Sequence, residues 1–428
     1  MVTTLKKHFS VIVACDAISL YVALYISIFV RTMTLPEWWY VERHLRSFSA
    51  IFVLWFLVFY VAGLYDIRSA LKEVIVKTLL HAQVVNSILA VIVFYLVPSF
   101  GIAPKTTLFI DLIISTCLLL SWRLYYYRSI VRNKGEDVLI IGNSFATNEL
   151  RRIIPNLPIF GLKIVDKPPA STVILDLYDQ LALRSIPGLD MLMFSGTNFL
   201  KAQDVYEGIT GRVTLDTLSD AWVLENISLQ PKLAYTTLKR VMDIVIALPL
   251  FLISLVLYPF VAVAIRLEDQ GPIFISQERV GENGRHFKMH KFRSMNGNDN
   301  GEYKEGSTTL RVTHVGTFLR KSRIDELPQL VSVLVGNQSL VGPRPELPAL
   351  VERYCHEIAY YNVRHVIKPG MSGWAQIYHE DHPHHGTAVE QTREKLSYDL
   401  YYIKNRSFVL DLKIALKTIR VLLSRVGA

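Results

Sequence analysis

Four long apolar runs open the chain, at residues 9–30, 48–64, 79–97 and 106–126. Each approaches the roughly 20 residues that carry a helix across a bilayer, so the pattern predicts four transmembrane helices within residues 1–134. The first is not expected to be a cleaved leader, because more spans follow it and no small-residue cleavage site stands behind it. From Asp137 the period changes. DVLIIG, STVILDL and MLMFSG read as short buried strands and ATNELRRII as a helix. This alternation predicts a small Rossmann-like α/β domain with a parallel sheet over 135–232. A fifth apolar run, 244–265, follows Asp243 and contains Pro249 and Pro259. Near the end, Leu412, Leu416, Ile419, Leu423 and Val426 recur at helical spacing, with Lys413, Lys417, Arg420 and Ser424 on another face. Such a helix suits either the lipid headgroup region or a core with a solvated basic face.

Charge orients the spans. Lys6, Lys7, Arg68, Lys72, Lys77, Arg128, Arg132 and Lys134 fall on one side of a four-span topology. The opposite side holds Lys105 in one loop and Arg31, Arg43 and Arg46 in the other. The excess places both termini in the cytoplasm. Asp16 and Asp111 lie inside spans and read first as helix–helix contacts. A net charge of +9 beside 51% hydrophobic residues points to a membrane surface and anionic substrates, with no nucleic acid as partner. Cys15, Cys117 and Cys355 have neither paired nor metal-like spacing, which fits a reducing compartment.

The sharpest local signals are SRIDELPQL, residues 322–330, and SLVGPRPE, residues 339–346. Pro328 is tolerated in the first turn of a helix, which puts Asp325 at or just before a helix N-terminus, and Gly336 is a stop. Adjacent carboxylates can attack phosphorus or hold a metal. Arg344, between two φ-restricted prolines, can fork onto phosphate oxygens. Lys291 and Arg293 of HKFRSM, Arg279 of QERVG and Arg320 of FLRKS are further phosphate candidates. Gln329 would contact substrate or cap the helix. The glycines of KPGMSGWAQ let backbone approach a ligand, and Trp374 reads as either a binding or a core residue.

These strings do not stand alone. KRVMDIVIA from Lys239, GPIFISQERVGENGRHFKMHKFRSM from Gly271, RVTHVGTFLRKSRIDELPQL from Arg311, KPGMSGWAQI from Lys368 and KLSYDLYYIKN from Lys395 complete the set. Their order and wording closely resemble the bacterial sugar transferase family, the monotopic phosphoglycosyl transferases, over nearly half the chain. Four spans followed by a Rossmann-like domain resemble the large form of that family. The resemblance implies transfer of a sugar 1-phosphate from a UDP-sugar to undecaprenyl phosphate, with release of UMP. It assigns Asp325 as nucleophile and Glu326 as the second carboxylate, binding Mg²⁺ with Asp325 as a possible co-ligand. It implies a catalytic domain over 233–428 on the cytoplasmic face of a bacterial inner membrane, as the first membrane step of a surface polysaccharide.

The fifth apolar run takes its meaning from this. A full crossing would carry the motifs away from cytoplasmic nucleotide sugars. The two prolines, basic flanks at Lys239, Arg240 and Arg266, and Ser254 as a partner for a freed carbonyl predict a re-entrant helix over about 241–266. HEDHPHH, at 379–385, reads as a solvated loop or a sugar contact before a metal site. In the middle domain GNSFAT keeps only Gly142 of a dinucleotide fingerprint, which favours a structural, regulatory or oligomerising module over a nucleotide site. Two other classes stay open. Tyr235 and Lys239 have the Tyr-x-x-x-Lys spacing of a nucleotide-sugar dehydratase, though no glycine-rich turn accompanies them, and a membrane scaffold of polysaccharide assembly needs no catalysis at all.

Overall fold

The computed structural model describes residues 2–65, 72–96, 105–132, 136–156, 162–167, 169–177, 179, 196–227, 233–296, 311–378 and 389–424. The chain forms two compact units, Met1–Ile209 and Thr210–Ala428.

The first unit opens with helices α1 (Val2–Thr32), α2 (Trp38–Val61), α3 (Lys72–Leu96) and α4 (Lys105–Arg132). All four are long and apolar enough to cross a membrane. Helix α2 starts ten residues before the apolar run that announces it, because helical hydrogen bonding continues through the charged turn at Glu42, Arg43 and Arg46. Leu20, Leu24, Phe48, Phe52, Trp55 and Leu119 pack inside, while Ile18, Val53, Val84, Ile88, Phe109 and Ile113 face outward. Apolar side chains on that outer face match a hydrocarbon surrounding rather than water. Asp16 does join helices. Its carboxylate pairs with Arg123 of α4 and accepts hydrogen bonds from Tyr65 Oη (2.9 Å) and Trp122 Nε1 (3.1 Å). Asp111 is fully buried, and among the described residues neither of its oxygens has a hydrogen-bond partner.

Four parallel strands follow, β1 (Glu136–Ile141), β2 (Leu162–Val165), β3 (Thr172–Leu175) and β4 (Asn198–Lys201), in the order β2-β1-β3-β4. Helices α5 (Phe145–Ile153) and α6 (Ala202–Thr210) accompany them. Strands β1 and β3 match DVLIIG and STVILDL. MLMFSG falls almost wholly outside the described residues, and β2 has too short an apolar run to be read in advance. Gly142 has φ +114°, and a Cβ there would meet Asp176 at 2.8 Å. The next amide, Asn143 N–H, donates to the Asp179 carboxylate at 3.0 Å. An internal carboxylate thus occupies a donor that a dinucleotide phosphate would need.

The second unit begins upstream of its motifs. Val213, Trp222 and Ile227, around α7 (Asp220–Asn226), share one core with Val341, Tyr354, Tyr361, Trp374, Leu396 and Tyr402. Then come α8 (Leu233–Leu255) and α9 (Tyr258–Asp269), bent by 53° at Val256 and Leu257. Pro249 lies inside α8 and Pro259 in the first turn of α9. Pro259 removes the donor that would continue the helix, and Ile253 and Ser254 carbonyls accept tighter turns from Val256 and Leu257. Ser254 Oγ donates to the Phe251 carbonyl at 2.7 Å. Leu248, Leu252, Ile253, Val256, Phe260 and Val263 are all exposed.

Strands β5 (Phe274–Val280) and β6 (His286–Phe292) form an antiparallel hairpin. Helix α10 (His314–Ser322), a 3₁₀ segment (Ile324–Gln329) and α11 (Leu330–Val335) follow one another along the chain, ending at Gly336 (φ +100°). Strand β7 (Ser339–Val341) pairs in parallel with β8 (Gly370–Ser372), separated by α12 (Pro348–Glu357) and a 3₁₀ segment (Tyr361–Val366). Helices α13 (Trp374–Tyr378), α14 (Val389–Asn405) and α15 (Phe408–Ser424) close the unit. On α15 the expected faces are partly exchanged. Asp411, Ile414 and Lys417 are buried, with Lys417 Nζ 4.4 Å over the Tyr378 ring, while Leu412, Ile419 and Leu422 are exposed.

Candidate active site

Four pieces of the second unit meet at the Asp-Glu pair: the 3₁₀ segment, β5, β6 and the loop after β7. The pair is set by a backbone reversal. Arg323 ends α10 in the left-handed conformation (φ 57°) and starts the 3₁₀ turn that carries Asp325, Glu326 and Pro328. The Glu268 carboxylate accepts from the first amides of α10, His314 (2.6 Å) and Val315 (3.1 Å), which fixes that helix against the end of α9.

The two carboxylates differ sharply. Glu326 Oε1 lies 2.9 Å from Arg344 Nη2, 3.5 Å from Arg323 Nη1 and 3.9 Å from Lys291 Nζ. Burial would raise its pKa, but these cations outweigh burial and hold it at about 2. Asp325 is 8% exposed, and among the described residues its Oδ1 has no hydrogen-bond partner. Burial, then the Glu326 charge, pushes its pKa up to about 6, against the pull of Lys291, Arg323 and Arg320. Burial also lowers Lys291 to about 8 and Arg279 to about 10.

A small cleft is lined by Arg279, Met289, Gln329, Arg344, Pro345 and Gly370. Gln329, one turn beyond Asp325, is buried, and among the described residues neither its Nε2 nor Arg279 Nε has a hydrogen-bond partner. Arg279 Nη1 donates to the Pro345 carbonyl at 3.2 Å. The structure therefore gathers Asp325, Glu326, Arg344, Lys291, Arg279 and Gln329 in one place, with Arg320 acting on Asp325 through its charge. Arg293 is not among them. Strand β6 ends at Phe292, and the Arg293 guanidinium turns to Asp269 across Gly271, where any Cβ would collide with it. Arg323 joins the cluster without having been read from the sequence, although its place three residues before Glu326 was a usable signal.

The glycines of the KPGMSGWAQ segment meet backbone, not open space. A Cβ on Gly370 would fall 2.0 Å from the Gly342 nitrogen, and one on Gly373 2.5 Å from its oxygen. Trp374 is a core residue, donating to the Gly211 carbonyl at 2.7 Å and stacked on Tyr401. Tyr235 and Lys239 both point at the buried Asp411 carboxylate (2.9 and 3.0 Å), so the dehydratase-like spacing serves to fasten α8 to α15. The 379–385 histidine run lies outside the described residues.

A carboxylate pair ringed by cations, with one pKa pulled down to about 2 and its neighbour pushed up to about 6, marks a candidate functional site whose cations suit anionic groups. The sequence profile of the bacterial sugar transferase family matches residues 234–425. An Aeromonas hydrophila UDP-N-acetylgalactosamine-undecaprenyl-phosphate N-acetylgalactosaminephosphotransferase is 43% identical over 231 residues, 53% of this chain and 52% of that protein. The UDP-glucose:undecaprenyl-phosphate glucose-1-phosphate transferase of Escherichia coli is 42% identical over 185 residues, 42% of this chain and 39% of that one. The uncharacterized sugar transferase EpsL of Bacillus subtilis is 38% identical over 190 residues, 44% of this chain and 89% of EpsL. The chain belongs to the bacterial sugar transferase family. It spans about half the length of the first of these relatives and about two fifths of the second.

Proposed function

We propose that this protein is a phosphoglycosyl transferase that moves a sugar 1-phosphate from a UDP-sugar to undecaprenyl phosphate. The observation that carries this reading is the split pair: Asp325 buried with a free oxygen and a pKa of about 6, Glu326 pinned by three cations. An Asp325 oxygen forms a bond to the sugar-bearing phosphorus as the bond from that phosphorus to UMP breaks, and UMP leaves with the electron pair. The acyl phosphate is then attacked by an oxygen of the polyprenyl phosphate, and Asp325 departs as carboxylate. Arg344, Lys291 and Arg279 balance the phosphate charge at both stages. Glu326 holds Arg344 and Lys291 beside the reacting carboxylate.

The pair also fits Mg²⁺, which prefers hard oxygens and keeps open positions for phosphate. The buried, uncommitted Asp325 Oδ1 and the Glu326 carboxylate would hold it. Among the described residues no group of three or more His, Cys, Asp or Glu is placed to hold a metal ion, and substrate oxygens would complete its shell. Bound there, it would neutralise phosphate charge.

Re-entry of the α8–α9 pair is supported by its fastenings. At one end Asp243 accepts from Ser339 Oγ and Leu340 N, both at 3.0 Å. At the other, Glu268 and Asp269 are tied to α10 and Arg293. One compact unit holds both ends. The apolar arm of α8, from Ile244 to Leu255, is about 18 Å long, short of the roughly 30 Å hydrocarbon core. On this reading the site faces the cytoplasm at the inner membrane, with exposed Leu412, Ile419 and Leu422 of α15 in the interface, and the product begins a surface polysaccharide. The α/β domain, with its parallel sheet, would serve regulation or oligomerisation.

The test is UMP release by purified protein given Mg²⁺, undecaprenyl phosphate and a panel of UDP-sugars, with mass analysis of the peptide containing Asp325. A phosphosugar adduct on that peptide, absent in folded Asp325→Asn and after EDTA, is expected. UMP formed without any adduct would remove the covalent step. No UMP from any sugar would remove the proposed activity.

A further inference from the structure

We propose that Arg364, which no sequence motif singled out, is a positioning residue that fixes the backbone of Arg344 and so aims its guanidinium at the reacting phosphate. The proposal rests on reading Arg344 as the phosphate-binding group. Arg364 lies in the 3₁₀ segment Tyr361–Val366, entered through Tyr360 in the left-handed conformation (φ 60°). It is 6% exposed, and its guanidinium serves three groups. Nη2 donates to the Arg344 carbonyl at 2.9 Å, Nη1 donates to Tyr361 Oη at 2.6 Å, and Nη2 lies 2.8 Å from Asp399 Oδ2. Asp399, on α14, is 2% exposed. Glu346 and Lys395 also act on this cluster through their charges.

A buried arginine is costly, and a buried ion pair adds little stability over apolar packing. What this pair supplies is aim. The next carbonyl, of Pro345, is held by Arg279, and Gly342 N–H is held by the Ser372 carbonyl at 2.9 Å. Two arginines from different elements thus clamp consecutive peptides, while Pro343 and Pro345 restrict φ on either side. Little freedom is left to the Arg344 backbone, and its side chain leaves that clamp to reach Glu326. A lysine at 364 would keep the charge but lose the planar fork that serves three acceptors at once.

The experiment compares full-length wild type, Arg364→Lys, Arg344→Lys and the double variant in lipid nanodiscs. Arg364→Lys is expected to raise amide hydrogen exchange across residues 339–347 and to lower kcat by about 100-fold, with KM for the UDP-sugar changed far less. In the Arg344→Lys background the same change should cost less than about 3-fold, since the group being aimed is already compromised. Tyr361→Phe removes one acceptor and should shift exchange and kcat in the same direction by less. It carries the test if Arg364→Lys does not fold. Unchanged exchange in 339–347, or losses that multiply in the double variant, would overturn the proposal. Raised exchange in a protein whose wild type releases no UMP would leave the clamp standing and sink the reading of the activity instead.

Discussion

Replacing Asp325 by Asn should stabilise the protein, and by an amount that depends on pH. The native site holds the Asp325 carboxyl at about 6, against 3.8 ordinarily, chiefly through burial. A carboxyl whose folded pKa is raised keeps its proton longer in the native state. Its contribution is therefore present below about pH 4 and is lost as pH rises through 6. The difference corresponds to about 3 kcal/mol once both states are ionised, about half of that at pH 5 and little at pH 4. Asn is nearly isosteric with the protonated acid and bears no charge, so the variant escapes this cost. For a unit of this size, with 2–4 °C per kcal/mol as a rough scale, the gain at pH 8 is about 6–12 °C in apparent Tm. The assay is thermal unfolding followed by tryptophan fluorescence in nanodiscs, wild type against Asp325→Asn, from pH 4.5 to 8. Glu326→Gln is the control of opposite sign. Its folded pKa of about 2 means stability present above 4.5 and lost as pH falls toward 2, so the variant should lose about 3 kcal/mol at pH 7. Equal Tm for Asp325→Asn and wild type at pH 8, or a gain that ignores pH, would show that Asp325 ionises without opposition and would refute the electrostatic account of the pair.

Other consequences are accessible in simpler assays. The pH profile of kcat/KM for UMP release should rise with an apparent pKa near 6, as Asp325 ionises, and fall near 8, as Lys291 loses its proton. In Lys291→Arg the falling limb should move well above 8. Gly370→Ala should abolish folding of the second unit, since its Cβ would sit 2.0 Å from the Gly342 backbone nitrogen; a soluble, folded variant by circular dichroism and gel filtration would contradict the packing described.

Much of the site was legible because its chemistry is concentrated in short strings. Asp325, Glu326 and Pro328 share one turn, and Arg344 lies between prolines, so type and spacing alone marked them. Lys291 and Arg279 could be nominated only as cations near motifs, and so could Arg293. The difference among the three is made by where β6 ends and by the slot that Gly271 opens for the Arg293 side chain. Trp374 and the Tyr235–Lys239 pair gave the same ambiguity. An aromatic or a Tyr-Lys spacing looks alike in a binding site and in a core, and burial against Gly211, Tyr401 and Asp411 distinguished them.

By itself the sequence determined the order of segments: four membrane-length helices, an alternating strand–helix stretch, an apolar run containing prolines, and a motif-rich half. Local periodicity and backbone restriction suffice for that, since each depends on neighbours within a turn or two. Tertiary structure alone decided the state of the charges. Whether a carboxyl pKa lies near 2 or near 6 depends on how deeply the fold buries it and on which charges it brings within about 4 Å, and Arg323, Lys291 and Arg344 reach Glu326 from three separate elements. It also decided that Arg364 and Asp399 matter, because a carbonyl 20 residues away in sequence is a partner only once the chain has folded back on it. Coulomb interactions and hydrogen bonds act through space, and a sequence records distance only along the chain.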